Sequence, residues 1–301
     1  MASLAHERQL EKMKNAPGFV AALDQSGGST PKALELYGVP STWYNKGESS
    51  MFDHVHMMRE RIIGSEKFNG DRILAAILFE DTVHRKVQGI PTARYLWEEK
   101  GIVPIIKIDQ GLMPEKNGVQ LMNEMTKLKE VLELAKEHDV FGTKARSVIK
   151  HANVEGIRSN VEQQFTVGRT VLKEGLIPIL EPEVDIHCPE KVEAENILRD
   201  VLLSNLNKLS PDEKIIFKLT LPSEDNLYKN IIAHPNVLRV VALSGGYTRG
   251  EANAILARNE NMVASFSRAL TEGLHLHDSS ELFDTKLDDS IGSIYFASIS
   301  G

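Results

Sequence analysis

Lys218 interrupts an otherwise apolar run, Ile215-Ile216-Phe217-Lys218-Leu219-Thr220-Leu221. Desolvation and nearby positive charge both favour the neutral amine of a lysine. A neutral amine is what Schiff-base chemistry with a ketone or aldehyde requires. Glu181 and Glu183 are the natural proton movers for that chemistry, since dehydrating a carbinolamine needs a proton delivered to the leaving hydroxyl. Asp24 is a candidate acceptor for a substrate hydroxyl proton as a C–C bond breaks. Each residue also has a plainer account. Lys218 can be a lysine paired to Glu181 or Glu183, and Asp24 a turn or cap residue ahead of Gly27-Gly28-Ser29.

Charged pairs recur at i, i+2: Lys107 and Asp109, Lys144 and Arg146, Glu181 and Glu183. On a strand, i and i+2 share a face. Apolar runs precede these pairs, as expected of strands buried on both faces. The runs are Phe19–Leu23, Ile73–Phe79, Val103–Ile108, Val140–Lys144, Leu176–Leu180, Lys214–Leu221, Val237–Leu243 and Met262–Phe266. Helical patterns lie between and around them. Val119–Asp139 reads as a helix from its Leu, Met, Lys and Glu content. A second begins at Cys188 with Pro189 in its first turn and runs to about Leu206. A third follows Ser279-Ser280, with Glu281 in its first turn. Leu4 to Asn15 reads as an N-terminal helix.

Eight strands alternating with helices predict a (β/α)8 TIM barrel. The expectation is one domain over 1–301, with 1–16 as a helical extension capping the barrel bottom. A doubly wound sheet is the competing fold, but neither a G-x-G-x-x-G nor a G-x-x-x-x-G-K-[ST] phosphate loop is present. In a barrel, chemistry sits at the C-terminal strand ends, and phosphate often binds after strands seven and eight. Those loops hold Ser244-Gly245-Gly246 and Ser265-Phe266-Ser267-Arg268. Glycine backbone N–H groups and an arginine fork suit an anion. Ser26, Ser29 and Lys107 form a second candidate anion site across the mouth. Two anion sites flanking the lysine suggest a sugar carrying two phosphates.

The 301 residues carry 35 Lys+Arg against 42 Asp+Glu, a net charge of −7. A mildly acidic chain lacks the basic field of a nucleic-acid binder. No apolar run approaches the roughly 20 residues of a membrane span, and the first residues lack a signal-peptide core. The lone cysteine, Cys188, allows no intrachain disulfide, which fits a reducing cytoplasm. His54 and His56, two apart on a helical pattern, face away from each other, and His275 and His277 lack a third ligand. No metal site and no bound cofactor are expected. The expected partner is a small phosphosugar, with no nucleic acid and no membrane. A homo-oligomer is compatible with the barrel exterior.

Taken in order, these motifs resemble class I fructose-bisphosphate aldolase of the compact bacterial type. The matching pieces are Ala-Ala-Leu-Asp24-Gln-Ser26-Gly-Gly-Ser29, Ile-Lys107-Ile-Asp109, Lys144-Ala-Arg146, Pro-Ile-Leu-Glu181-Pro-Glu183, Lys218, Leu-Ser244-Gly245-Gly246 and Ser265-Phe-Ser267-Arg268-Ala-Leu. The resemblance implies a metal-independent cleavage of fructose 1,6-bisphosphate to glycerone phosphate and glyceraldehyde 3-phosphate. It casts Lys218 as the imine-forming lysine and Glu181 as its acid/base partner. Asp24 and Lys144 serve the C3–C4 bond step, and Glu183 is a second site glutamate. Ser244, Gly245 and Arg268 match the C1-phosphate site. Ser26, Ser29 and Lys107 match the other phosphate site, and Arg146 matches a substrate-site arginine.

Some positions depart from the animal members of that family. Gln25 replaces a glutamate, Ala33 replaces an arginine, and Lys218 is followed by Leu219-Thr220 rather than Pro-Asn. The sequence stops at Gly301, short of the animal C-terminal tail with its tyrosine, and Tyr295 falls in the last helical pattern. Competing functions are another imine-forming aldolase, a metal-dependent aldolase, and a non-catalytic phosphosugar sensor.

Overall fold

A computed structural model describes residues 4–26 and 29–301; the side chains of residues 4, 5 and 29 lie outside the description. Eight parallel strands form the core: β1 Phe19–Leu23, β2 Ile73–Leu78, β3 Val103–Lys107, β4 Gly142–Ile149, β5 Ile177–Val184, β6 Ile215–Thr220, β7 Val237–Leu243 and β8 Met262–Ala264. Each strand pairs with the next in sequence. The ring is drawn together where Ala22 N–H donates to the Phe266 carbonyl at 3.1 Å. The longer helices are α1 Leu4–Asn15, α2 Ser29–Tyr37, α3 Ser49–Gly64, α4 Leu128–Glu137, α5 Val154–Lys173, α6 Lys191–Leu206, α7 Arg249–Leu256 and α8 Ser280–Ile299. This is the (β/α)8 barrel expected from the alternation of patterns.

Side-chain alternation explains why the strands are apolar throughout yet end in charge. On β1, Phe19, Ala21 and Leu23 pack outward against the helices. Val20 and Ala22 pack inside the barrel, and the next residue of that parity is Asp24. The same inward series runs Val103, Ile105, Lys107 on β3 and Ile177, Ile179, Glu181 on β5. On β6 it runs Ile216, Lys218, and from β8 it runs Val263, Ser265, Ser267. The lower inward layers are therefore hydrocarbon and the upper layer is polar. A fully buried aliphatic or aromatic side chain contributes about 1.5–3 kcal/mol, so the lower layers anchor what the upper layer displays.

The first helix closes the barrel floor, as expected. Met13 of α1 joins the inner cluster with Leu74, Phe141 and Val241. Arg239 of β7 donates to the carbonyls of Met13, Lys14 and Ala16, at 2.7, 2.7 and 3.1 Å. Lys12 Nζ donates to Gly70 O at 2.7 Å. Ser279 caps α8 by accepting from Leu282 N–H. The predicted helix from Cys188 starts three residues later, at Lys191, with Pro189 ahead of its first turn.

One expectation fails. Val119–Asp139 is not one helix; Val119–Gln120 forms a short strand, and the helix begins at Leu128. The reason is local. Asn117 and Gly118 both take positive φ, 52° and 70°, the backbone of a tight two-residue hairpin turn. Val119 then pairs antiparallel with Ile149, and Gln120 with Val148. That pairing accompanies a longer β4, which runs to Ile149 rather than Lys144 and carries Lys144 and Arg146 on one continuous strand.

Candidate active site

A cavity of about 930 Å³ opens at the C-terminal ends of the strands. Most of the predicted site residues line it: Asp24 and Ser26, Lys107, Lys144 and Arg146, Glu181 and Glu183, Lys218, Ser244 and Gly245, and Ser265, Ser267 and Arg268. Gly246 is not part of the lining. A Cβ there would lie 3.7 Å from the Arg268 guanidinium, so the residue backs the arginine. Ser29 opens α2, but its side chain lies outside the described residues.

Four of these residues form a chain of alternating charge. Lys144 Nζ is 2.7 Å from Asp24 Oδ2 and 2.8 Å from Glu181 Oε2. The other Glu181 oxygen, Oε1, is 3.0 Å from Lys218 Nζ. Side-chain exposure is 3% for Lys144, 4% for Glu181, 6% for Lys218 and 9% for Asp24. Charges this deep are tolerated because each has an opposite neighbour. Burial pushes the Asp24 carboxyl upward, but Lys144, Lys218 and Lys107 outweigh it and hold the group well below the usual carboxylate range. Glu181 is lowered in the same way: burial opposes, and Lys144 and Lys218 prevail. Burial disfavours the Lys144 ammonium, yet Asp24, Glu181 and Asp109 raise its pKa well above an ordinary lysine. The plainer account of Lys218, a lysine paired to Glu181, is therefore a real contact within the same cluster.

A second set braces the first. Lys107 Nζ sits 2.8 Å from Asp109 Oδ1, and Asp109 Oδ2 accepts from the Arg146 backbone N–H at 3.1 Å. Arg146 Nε donates to Glu183 Oε2 at 2.5 Å. Burial works against the Arg146 cation, but Glu183 raises its pKa beyond the normal arginine value. The i, i+2 pairs thus do face one space, as their spacing predicted.

The anion loops are built differently. Gly245 has φ +63°, and a Cβ there would come within 2.6 Å of Ile186 Cγ2. Only glycine fits that turn without strain. Arg268 is exposed and, among the described residues, its guanidinium has no acceptor within hydrogen-bond distance. Ser267 Oγ accepts from Gln25 Nε2 at 2.6 Å, tying the eighth strand end to the first.

Sequence reasoning missed Arg59. This α3 residue is 1% exposed. Its guanidinium donates to the Gln25 carbonyl at 2.6 Å and to Thr82 Oγ1 at 2.7 Å, so it fixes the backbone next to Asp24. Burial lowers its pKa to about 10, against the raising influence of Asp24 and Asp81. In the sequence, Arg59 stands in a charged stretch, Arg59-Glu60-Arg61, with no local feature that marks it as buried. Lys127, Gln110 and Phe79 also line the cavity and were not singled out. Among the described residues, no group of three or more His, Cys, Asp and Glu side chains is disposed to hold a metal ion. No described helix is long and apolar enough to cross a membrane.

Fold and cavity together define an α/β-barrel enzyme. Comparison with known proteins narrows this. The family model for class-I fructose-bisphosphate aldolase matches residues 11–234. The class 1 fructose-bisphosphate aldolase of Synechocystis sp. is 56% identical over 294 residues, covering 98% of this chain and 98% of that protein. The class 1 enzyme of Porphyromonas gingivalis is 54% identical over 294 residues, covering 98% and 99%. A fructose-bisphosphate aldolase structure from Plasmodium falciparum superposes with a TM-score of 0.76 at 19% identity, over 100% of this chain and 96% of that one. The chain belongs to the class I fructose-bisphosphate aldolase family, a group of carbon–carbon lyases.

Proposed function

We propose that this chain cleaves fructose 1,6-bisphosphate reversibly through an imine on Lys218, with the residues of the charged chain in defined roles. The carrying observation is Glu181, whose two oxygens bridge Lys144 and Lys218 at 2.8 and 3.0 Å. A carboxylate beside the Lys218 ammonium takes its proton and frees the amine to attack the C2 carbonyl. The same carboxyl, now protonated, delivers that proton to the carbinolamine hydroxyl, which leaves as water. The cationic imine then draws the electrons of the C3–C4 bond. Asp24, ionised in the resting site, accepts the C4 hydroxyl proton as that bond breaks. Lys144, 2.7 Å from Asp24, steadies the negative charge handled there. Glyceraldehyde 3-phosphate leaves, and protonation of the enamine followed by hydrolysis releases glycerone phosphate.

The remaining assignments follow the family resemblance, supported for most of these residues by their place in the cavity lining. Ser244, Gly245, Ser265, Ser267 and Arg268 take the C1 phosphate on the side next to Lys218, and Gly246 backs them. Ser26, Ser29 and Lys107 take the other phosphate. Arg146 and Glu183, joined to each other, hold sugar hydroxyls. The reaction needs no metal and no bound cofactor. A single domain acting in the cytoplasm suits the reading, and a homo-oligomer is compatible with it.

Borohydride trapping tests this directly. Incubation with fructose 1,6-bisphosphate in EDTA, reduction and peptide mapping should place a stable adduct on Lys218. Activity lost in EDTA with no adduct would favour a metal-dependent aldolase. No adduct and no turnover at all would favour a phosphosugar sensor.

A further inference from the structure

A sugar with two phosphates brings two dianions into a cavity whose cations are mostly committed. Lys107, Lys144, Arg146 and Lys218 each sit on a carboxylate. Lys32, on the rim, is 3.0 Å from Glu35. Two cavity-lining cations have no such partner among the described residues: Arg268 and Lys127. They stand on different walls. Arg268 follows β8, whereas Lys127 is the N-cap residue of α4, the helix reached from β3. Helix α4 lies between β3 and β4, and β4 is four strands from β8 around the eight-stranded ring, so these walls stand across the mouth from each other. Val131, one turn further along α4, also lines the cavity, so the first turn of this ten-residue helix borders the site.

We infer that Lys127 is a specificity-determining residue that supplies the uncommitted charge for the phosphate on the aldehyde half of the substrate. The inference rests on the function proposed above and adds a residue to it. Covalent attachment at C2 places the C1 phosphate one carbon from Lys218, hence on the wall of β7 and β8 that carries Arg268. The C6 phosphate lies four carbons from C2 and reaches the opposite wall. Lys107 alone serves that wall poorly, because its ammonium is held by the Asp109 carboxylate at 2.8 Å and by the Asp109 carbonyl at 3.0 Å. A second lysine without a competing carboxylate restores a net positive charge there. Its exposed, flexible side chain reaches the dianion as a point charge, and the backbone N–H groups at the start of α4 favour the same anion.

The condensation direction separates the two phosphates, because each three-carbon substrate carries one. The test measures KM for glyceraldehyde 3-phosphate and for glycerone phosphate in the wild type, Lys127→Met and Lys127→Arg. Borohydride-trapped adduct with glycerone phosphate is measured in all three. The expected result for Lys127→Met is a KM for glyceraldehyde 3-phosphate raised about tenfold, the loss of one charge-assisted contact at an exposed site. Its KM for glycerone phosphate and its adduct yield should match the wild type, and Lys127→Arg should recover most of the loss. An unchanged KM for glyceraldehyde 3-phosphate, an equal rise for both substrates, or no recovery with arginine would overturn the role of Lys127. No adduct in the wild type would overturn the proposed function and the role of Lys127 together.

Discussion

The two ends of the barrel interior use the same backbone and opposite chemistry. At the floor, Met13, Leu74, Phe141 and Val241 pack as hydrocarbon beneath α1. At the mouth, the last inward positions of the neighbouring strands β1, β3, β5 and β6 carry Asp24, Lys107, Glu181 and Lys218. The floor gains stability from area removed from water. The mouth gains little stability, because desolvation offsets much of the ion-pair attraction; what it gains is fixed geometry. A substitution at the floor should therefore alter stability with catalysis intact, and one at the mouth should do the reverse, except where it leaves a buried charge unpaired.

Lys144 is that exception and has the largest expected effect. Lys144→Met leaves Asp24 without its 2.7 Å partner and Glu181 without its 2.8 Å partner. Breaking a buried pair in this way costs about 3–5 kcal/mol. Denaturant unfolding should show that loss, and turnover should fall at least about a hundredfold. A variant as stable as the wild type would mean the mouth charges are solvated. Phe141→Ala comes next. The ring is fully buried at the floor, so stability should fall by about 3–5 kcal/mol, while KM and kcat at a permissive temperature stay within about twofold. A large kcat loss with intact fold would erase the division between floor and mouth.

Glu181→Gln should slow imine formation by about 10²–10⁴-fold, the usual contribution of a positioned acid/base group, seen as a delayed pre-steady-state approach to trapped adduct. A wild-type rate would remove Glu181 from that step. The smallest effect is the pH response of stability. Asp24 and Glu181 have folded-state pKa values below their ordinary 3.8 and 4.5. Their contribution is present above those ordinary values and drains as pH falls through the folded ones. Lys144 is raised above its ordinary 10.5, so its contribution is present below that value and drains at higher pH. The stability difference between wild type and Lys144→Met should thus be flat from about pH 5 to pH 10 and shrink below about pH 4. A slope near neutral pH would contradict the charge states given to the chain.

Much of this was legible before the fold was known, for a physical reason. A strand buried on both faces must be apolar at every position, so charges appearing at i, i+2 mark where the inward face leaves the core. Lys107 with Asp109 and Glu181 with Glu183 carry that signal in the sequence. The hairpin at Asn117-Gly118 was also legible as a turn pair, but Leu121, Met122 and Met125 beyond it imitate a helical stripe and obscure it. Arg59 carries no local signal. Its role arises from the Gln25 carbonyl, 34 residues away in sequence, and only the fold supplies that neighbour. Lys127 is similar: its spacing says nothing, and its lack of a carboxylate shows only once the other cations are seen paired.

The central claim is that the mouth does the chemistry while the floor holds the fold, with Lys218 as the covalent centre. The most direct measurement is Lys218→Met, assayed for fructose 1,6-bisphosphate cleavage and for thermal unfolding on the same preparation. The account predicts no detectable turnover, no borohydride adduct, and a Tm within a few degrees of the wild type. Measurable turnover near the wild-type rate from a folded Lys218→Met protein would contradict it.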